Sequence, residues 1–135
     1  MELRKFRLLI MIGVLVSATL ACGFNVSTAN ISSAKMTADS SGAGETTVFT
    51  PDQDFYCIVE LANAPDDTTL KAIWTAVNIE GEEPNLLIDE AELTAGSQNV
   101  FTFSLTNNQL WPAGQYKVDI YLNEELDRTL EFSVQ

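Results

Sequence analysis

The sequence predicts an all-β fold, an antiparallel β-sandwich of about seven strands, and three observations carry that expectation. Apolar and polar residues alternate with a period of two in run after run. The plainest case is Gln115 to Leu122, where Tyr116, Val118, Ile120 and Leu122 fall on one side and Gln115, Lys117, Asp119 and Tyr121 on the other. Gly, Pro, Asn and Asp interrupt these runs at intervals of roughly 10 to 20 residues, the punctuation of a sheet folded back on itself. No long segment carries apolar residues at helical spacing. With 135 residues, 46% of them hydrophobic, the chain suffices for one well-buried domain and not for two.

The elements begin with a leader. Arg4, Lys5 and Arg7 precede an uncharged, mostly apolar stretch from Leu8 to Ala21, with small residues at Ser17, Ala18 and Ala21. A positive start, an apolar middle and a small-residue end are the three parts of a secretory signal peptide. The apolar run falls short of the ~20 residues a helix needs to cross a bilayer, so residues 1–21 read as a removed leader and not as a permanent span. At its end, Thr19-Leu20-Ala21-Cys22-Gly23 resembles the lipobox of bacterial lipoproteins, with Thr19 where that family usually has Leu. The resemblance implies cleavage before Cys22 and acylation of its sulfur, with palmitate or a similar chain. Residues 22–27 would then be the lipidated cysteine and a short tether, and residues 28–135 the domain. Several acyl chains on one residue hold firmly, since each buried methylene contributes ~0.8 kcal/mol. An ordinary signal peptide cut nearby, leaving Cys22 a plain thiol, is the alternative. Gly23 is not the Asp that retains many such proteins at the inner membrane, and the sequence leaves inner and outer membrane open.

Past the tether the chain is polar and small. Asn25 to Ala38 contains Val26, Ile31, Ala34 and Met36, enough for a first edge strand, and Ser40 to Gly44 reads as a loop. Phe55 to Leu61 places Phe55, Cys57, Val59 and Leu61 on one face. After the turn Asn63-Ala64-Pro65-Asp66-Asp67, the run Leu70 to Val77 does the same with Leu70, Ala72, Trp74 and Ala76. Asn85 to Leu93 is read as a strand, although Leu86, Leu87 and Ile88 are consecutive and break the alternation. Val100 to Leu105 turns Phe101, Phe103 and Leu105 inward. The last strand, Leu126 to Val134, is expected to place Leu126, Arg128, Leu130, Phe132 and Val134 on one side.

Within this series, Cys57 on the second strand, Trp74 on the third and Gly114-x-Tyr116-x-Val118 on the penultimate strand resemble the immunoglobulin-fold pattern of Cys, core Trp, then Gly-x-Tyr-x-Cys. The resemblance covers roughly residues 28 to 134. It implies an immunoglobulin-like sandwich in which Trp74 fills the core and Tyr116 makes a tyrosine corner. Val118 stands where the second cysteine would be, so the bridge is replaced by apolar packing of Cys57 against Val118. With Cys22 acylated, Cys57 has no partner, and it reads as a small buried hydrophobe. The architecture is silent on activity, since it hosts many unrelated ones.

Composition narrows the chemistry. The full chain carries a net charge of −12; without Glu2, Arg4, Lys5 and Arg7, 18 carboxylates face the four cations Lys35, Lys71, Lys117 and Arg128, a net of −14. Such a surface repels nucleic acid. There is no His, so the commonest general base and metal ligand is missing and no Ser-His or Cys-His pair can form. No phosphate loop, zinc spacing or calcium loop is present. Carboxylates remain, at Glu80-Gly81-Glu82-Glu83, Asp89-Glu90-Ala91-Glu92 and in Asp52, Asp54, Asp66 and Asp67. They read as solvated loops, and neither an enzyme, a cofactor nor a metal site is expected.

The expected function is a cell-envelope lipoprotein, attached to the membrane through its N-terminal lipid and binding a protein partner without catalysis. In the immunoglobulin-like arrangement the third, penultimate and last strands share a sheet. Its outer face would join Ile73, Thr75 and Val77 to Lys117, Asp119 and Tyr121, and these six form the candidate binding face. The alternatives are a structural accessory subunit of an envelope complex, or a surface domain binding Ca²⁺ or carbohydrate.

Overall fold

A computed structural model of the chain describes residues 28–135, and the expected leader 1–21, Cys22 and the rest of the tether 22–27 lie outside the described residues. Eight strands follow one another: β1 (Asn30–Thr37), β2 (Val48–Phe49), β3 (Phe55–Ala62), β4 (Thr69–Ile79), β5 (Leu86–Thr94), β6 (Val100–Leu105), β7 (Gly114–Leu122) and β8 (Glu125–Val134). They form two layers, a three-stranded sheet in the order β1-β3-β6 and a five-stranded sheet in the order β2-β8-β7-β4-β5. The expected sandwich is therefore present, with one strand more than the alternation suggested.

The additional strand is β2. It is two residues long and runs parallel to the end of β8, with Val48 opposite Ser133 and Phe49 opposite Val134. The N–H of Ser133 donates to Thr47 O at 2.9 Å and that of Gln135 to Phe49 O at 3.0 Å, the bonds of a short parallel ladder. Val48 points to solvent while Phe49 is buried edge-on against Phe55 and Phe132, so this short piece carries the chain from one layer to the other and plugs the core.

Alternation accounts for the core. Phe55, Cys57, Val59 and Leu61 of β3 face Leu70, Ala72, Trp74 and Ala76 of β4 and Tyr116, Val118 and Ile120 of β7, all buried. Cys57 and Val118 are both 0% exposed and belong to this core. The tyrosine corner also forms, with the Tyr116 hydroxyl donating to Pro112 O at 2.6 Å.

Two bulges change what faces outward. Between Ile120 and Tyr121 the β7–β8 register shifts, pairing Ile120 with Arg128 and Tyr121 with Leu126. The expected single-sided row on the last strand is corrected by this: Phe132 and Val134 are buried and Leu130 packs on the core, but Leu126 is turned to the outer face and is 55% exposed. Arg128 stays on the inner side of the rim, where its Nη2 donates to Ile31 O of β1 at 3.0 Å and ties the two sheets together. A second shift, between Trp74 and Thr75 against β5, absorbs the consecutive Leu86, Leu87 and Ile88.

The register also assigns each connection to an end. β1 starts beside the end of β3, with Asn30 opposite Ala62, so the chain enters at the pole holding the β3–β4, β5–β6 and β7–β8 connections. The opposite pole holds residues 38–47, 50–54, 80–85 and 106–113.

Candidate functional site

The six residues of the expected binding face are brought together. Ile73 is opposite Asp119 and Thr75 opposite Lys117 in the β4–β7 ladder, and Tyr121 is opposite Lys71. Val77 occupies a third bulge, between Ala76 and Asn78, and is not in line with the others. The face is more closed than alternation alone implied. Asp119 and Thr75 are buried, while Ile73, Val77, Lys117 and Tyr121 are half-buried. Neighbouring side chains cover them: Thr129 donates its hydroxyl to Asp119 Oδ1 at 2.5 Å, Lys117 Nζ lies 3.2 Å from Asp119 Oδ2, and Lys71 Nζ sits 4.9 Å from the centre of the Tyr121 ring. Such pairs across and along strands hold a solvated face in order. Beside Tyr121, the outward Leu126 adds the apolar surface that the bulge uncovered.

Large apolar side chains are exposed elsewhere. Leu86 is 43%, Leu87 58% and Leu110 68% exposed. Leu86 and Leu87 line a cleft of about 430 Å³ where the edge strand β5 parts from the end of β6, with Ile79, Ile88, Leu105 and Trp111 completing its apolar wall. Glu82 and Asp89 stand at its rim. Trp111 is packed from below, stacking on Phe55 with ring centres 4.7 Å apart and meeting Tyr116 edge-on at 6.2 Å. Both sheets end at this opening, since β5 pairs only with β4 and β6 only with β3. The alternation did not reveal this cleft, although one signal was present: three consecutive apolar residues in a strand cannot all face one core.

A second, shallower recess of about 750 Å³ lies at the entry pole among Thr28, Asn63, Asp66 and Gln98. Thr28 closes one side by donating its hydroxyl to Asn63 O at 2.9 Å.

The titratable groups have structural explanations. Burial pushes the Cys57 thiol up to about 12, which keeps it protonated at ordinary pH. Burial likewise pushes the Tyr116 phenol up to about 12. The Asp39 carboxyl is held below its ordinary value by the N–H of Ser41, which donates to its Oδ1 at 2.8 Å in an exposed turn. Among the described residues no three Cys, Asp or Glu side chains converge as a metal site would require; the loop carboxylates are spread along the turns.

Comparison with known proteins adds to the fold. No protein-family model and no curated protein matches the sequence. Among solved structures, an immunoglobulin-like protein from Pseudomonas aeruginosa is similar at a TM-score of 0.53 and 14% identity, over 79% of this chain and 96% of that one. An alkylpurine DNA glycosylase of Pseudomonas fluorescens bound to DNA containing an abasic site analogue is similar at a TM-score of 0.51 and 17% identity, over 81% of this chain. This chain spans about a third of the glycosylase, 31% of its length. At these identities the likeness is one of architecture: the domain is an immunoglobulin-like β-sandwich of a kind found in bacterial proteins.

Proposed function

We propose that the protein is an exported, lipid-anchored immunoglobulin-like module that binds another protein of the bacterial cell envelope and performs no catalysis of its own. The observation that carries this reading is the position at which the chain enters the sandwich. Strand β1 begins at the entry pole, and the residues between Cys22 and Asn30 span at most about 26–29 Å when fully extended. A lipid on Cys22 would therefore hold that pole near the membrane, with the opposite pole and the flanking sheet faces turned away from it.

Two experiments test the two halves of the proposal. The Cys22→Ser chain is expected to take up no labelled palmitate and to move from the membrane to the soluble extracytoplasmic fraction, since lipidation supplies its attachment. Unchanged membrane association would remove the anchor. For the sheet face, Ile73→Glu combined with Val77→Glu is expected to reduce capture of an envelope partner by about tenfold while leaving Tm within a few degrees, both side chains being half-buried. Undiminished capture by the double variant would remove this face from the binding surface.

A further inference from the structure

We infer that the cleft between β5 and the end of β6 is a docking site for an extended, cationic polypeptide segment with a large apolar side chain at its centre. The inference rests on the binding-module reading and adds a second site to it, on the sandwich seam at the border of the β4–β7 face, where Leu87 pairs with Thr75. Size and chemistry come first. A volume of about 430 Å³ is within the range of ligand clefts, and the exposed Leu86 and Leu87 over the Trp111 floor favour an apolar occupant. No described part of the chain covers these leucines.

Charge decides which partner fits. Besides Glu82 and Asp89 in its lining, the β4–β5 connection beside the cleft carries Glu80 and Glu83, and residues 80–85 and 106–113 contain no Lys or Arg. A second copy of the chain would bring the same carboxylates against each other, and nucleic acid would be repelled. Lys or Arg on either side of an apolar anchor complements both the rim and the floor.

Backbone geometry gives the segment its form. The cleft opens between the free edges of both sheets, where an added strand finds unpaired N–H and C=O groups beside a side-chain pocket. At the next position along β5, the N–H of Glu90 donates to Asp89 Oδ1 at 2.9 Å. The end of that edge at Leu86 and Leu87 lies next to the cleft.

The test is a titration of the full chain, held in a non-ionic detergent, with the synthetic peptide Lys-Leu-Lys-Val-Lys-Leu-Lys, followed by tryptophan emission. Saturable binding is expected with Kd on the order of 10–100 µM, weakened several-fold as ionic strength rises from about 0.05 to 0.5 M. Leu87→Asp, at a 58% exposed position, is expected to weaken it about tenfold with Tm unchanged, and Glu82→Lys several-fold. Equal binding of the peptide with Glu for every Lys, or undiminished binding by both variants, would overturn the site. A concentration-dependent dimer abolished by Leu87→Asp would give the cleft to a second copy and overturn it too. These outcomes are independent of the palmitate and fractionation results, so failure of this site and failure of the module reading are separable.

Discussion

Replacing Phe55 by Ala is expected to destabilise the domain by about 3–5 kcal/mol, a large part of the 5–15 kcal/mol that holds a typical domain together. Phe55 is 0% exposed and is the centre of the aromatic cluster. Its ring lies 4.9 Å from Phe49, 4.8 Å from Phe132, 4.7 Å from Trp111 and 5.7 Å from Tyr116, so it is in contact with the opposite sheet, the crossing strand β2 and the β6–β7 connection at once. Removing it forfeits the transfer of a phenyl group and leaves a cavity among rings that cannot all collapse inward, because Tyr116 is fixed by its bond to Pro112 O. Phe55→Leu keeps most of the volume and should cost less than half as much. Urea unfolding of the three proteins checks this. A loss below ~1 kcal/mol for Phe55→Ala would mean that the cluster is not the core.

Gly114→Ala is expected to be comparably damaging, at roughly 3–5 kcal/mol, although it adds a single methyl group. Gly114 opens β7 at φ 147°, a backbone angle that residues with a Cβ seldom adopt. A Cβ there would overlap the carbonyl oxygen of Asn78 and stand 2.9 Å from Ile79 Cα, so the clash is with backbone and no side-chain rotation relieves it. Relief requires β4 and β7 to part where Ile79 pairs with Gly114, beside the bulge between Ala76 and Asn78. The expected fall in Tm is roughly 10–20 °C, measurable by calorimetry. Gly81→Ala is the control: it also has positive φ, but its added Cβ meets nothing within 4 Å, so it should lose only the strain and a smaller share of Tm.

The pairing of residue type with position made most of the architecture legible. The inward sets of β3, β4, β6 and β7 follow from a period of two, and Gly114, Tyr116 and Pro112 meet as the corner motif requires. Strand β2 was not legible because two residues carry no period, and its parallel partner is more than 80 positions away in sequence. Leu126 was assigned to the wrong side because alternation cannot register the extra residue at Asp127. That Ile73, Thr75, Lys117, Asp119 and Tyr121 are neighbours on one face was legible, yet its covering was not: the bonds of Asp119 to Thr129 and Lys117 depend on side-chain reach across the sheet. The cleft was hidden for a further reason, being made where residues 86–89 meet residues 105–112 at the junction of two sheet edges.

The short parallel pairing of β2 with β8, together with the Arg128 bond to Ile31 O, bears on how the domain responds to pulling. If the N-terminus is held and a partner tugs at the far pole, tension runs along β1 and is resisted by its ladder to β3 in shear. Hydrogen bonds perpendicular to the strands are then strained together and not one after another. The guanidinium staple adds resistance from the second layer. Pulling β1 away along its own axis thus means breaking its ladder and the Arg128 bond together, where a hairpin pulled from its ends would open one bond at a time.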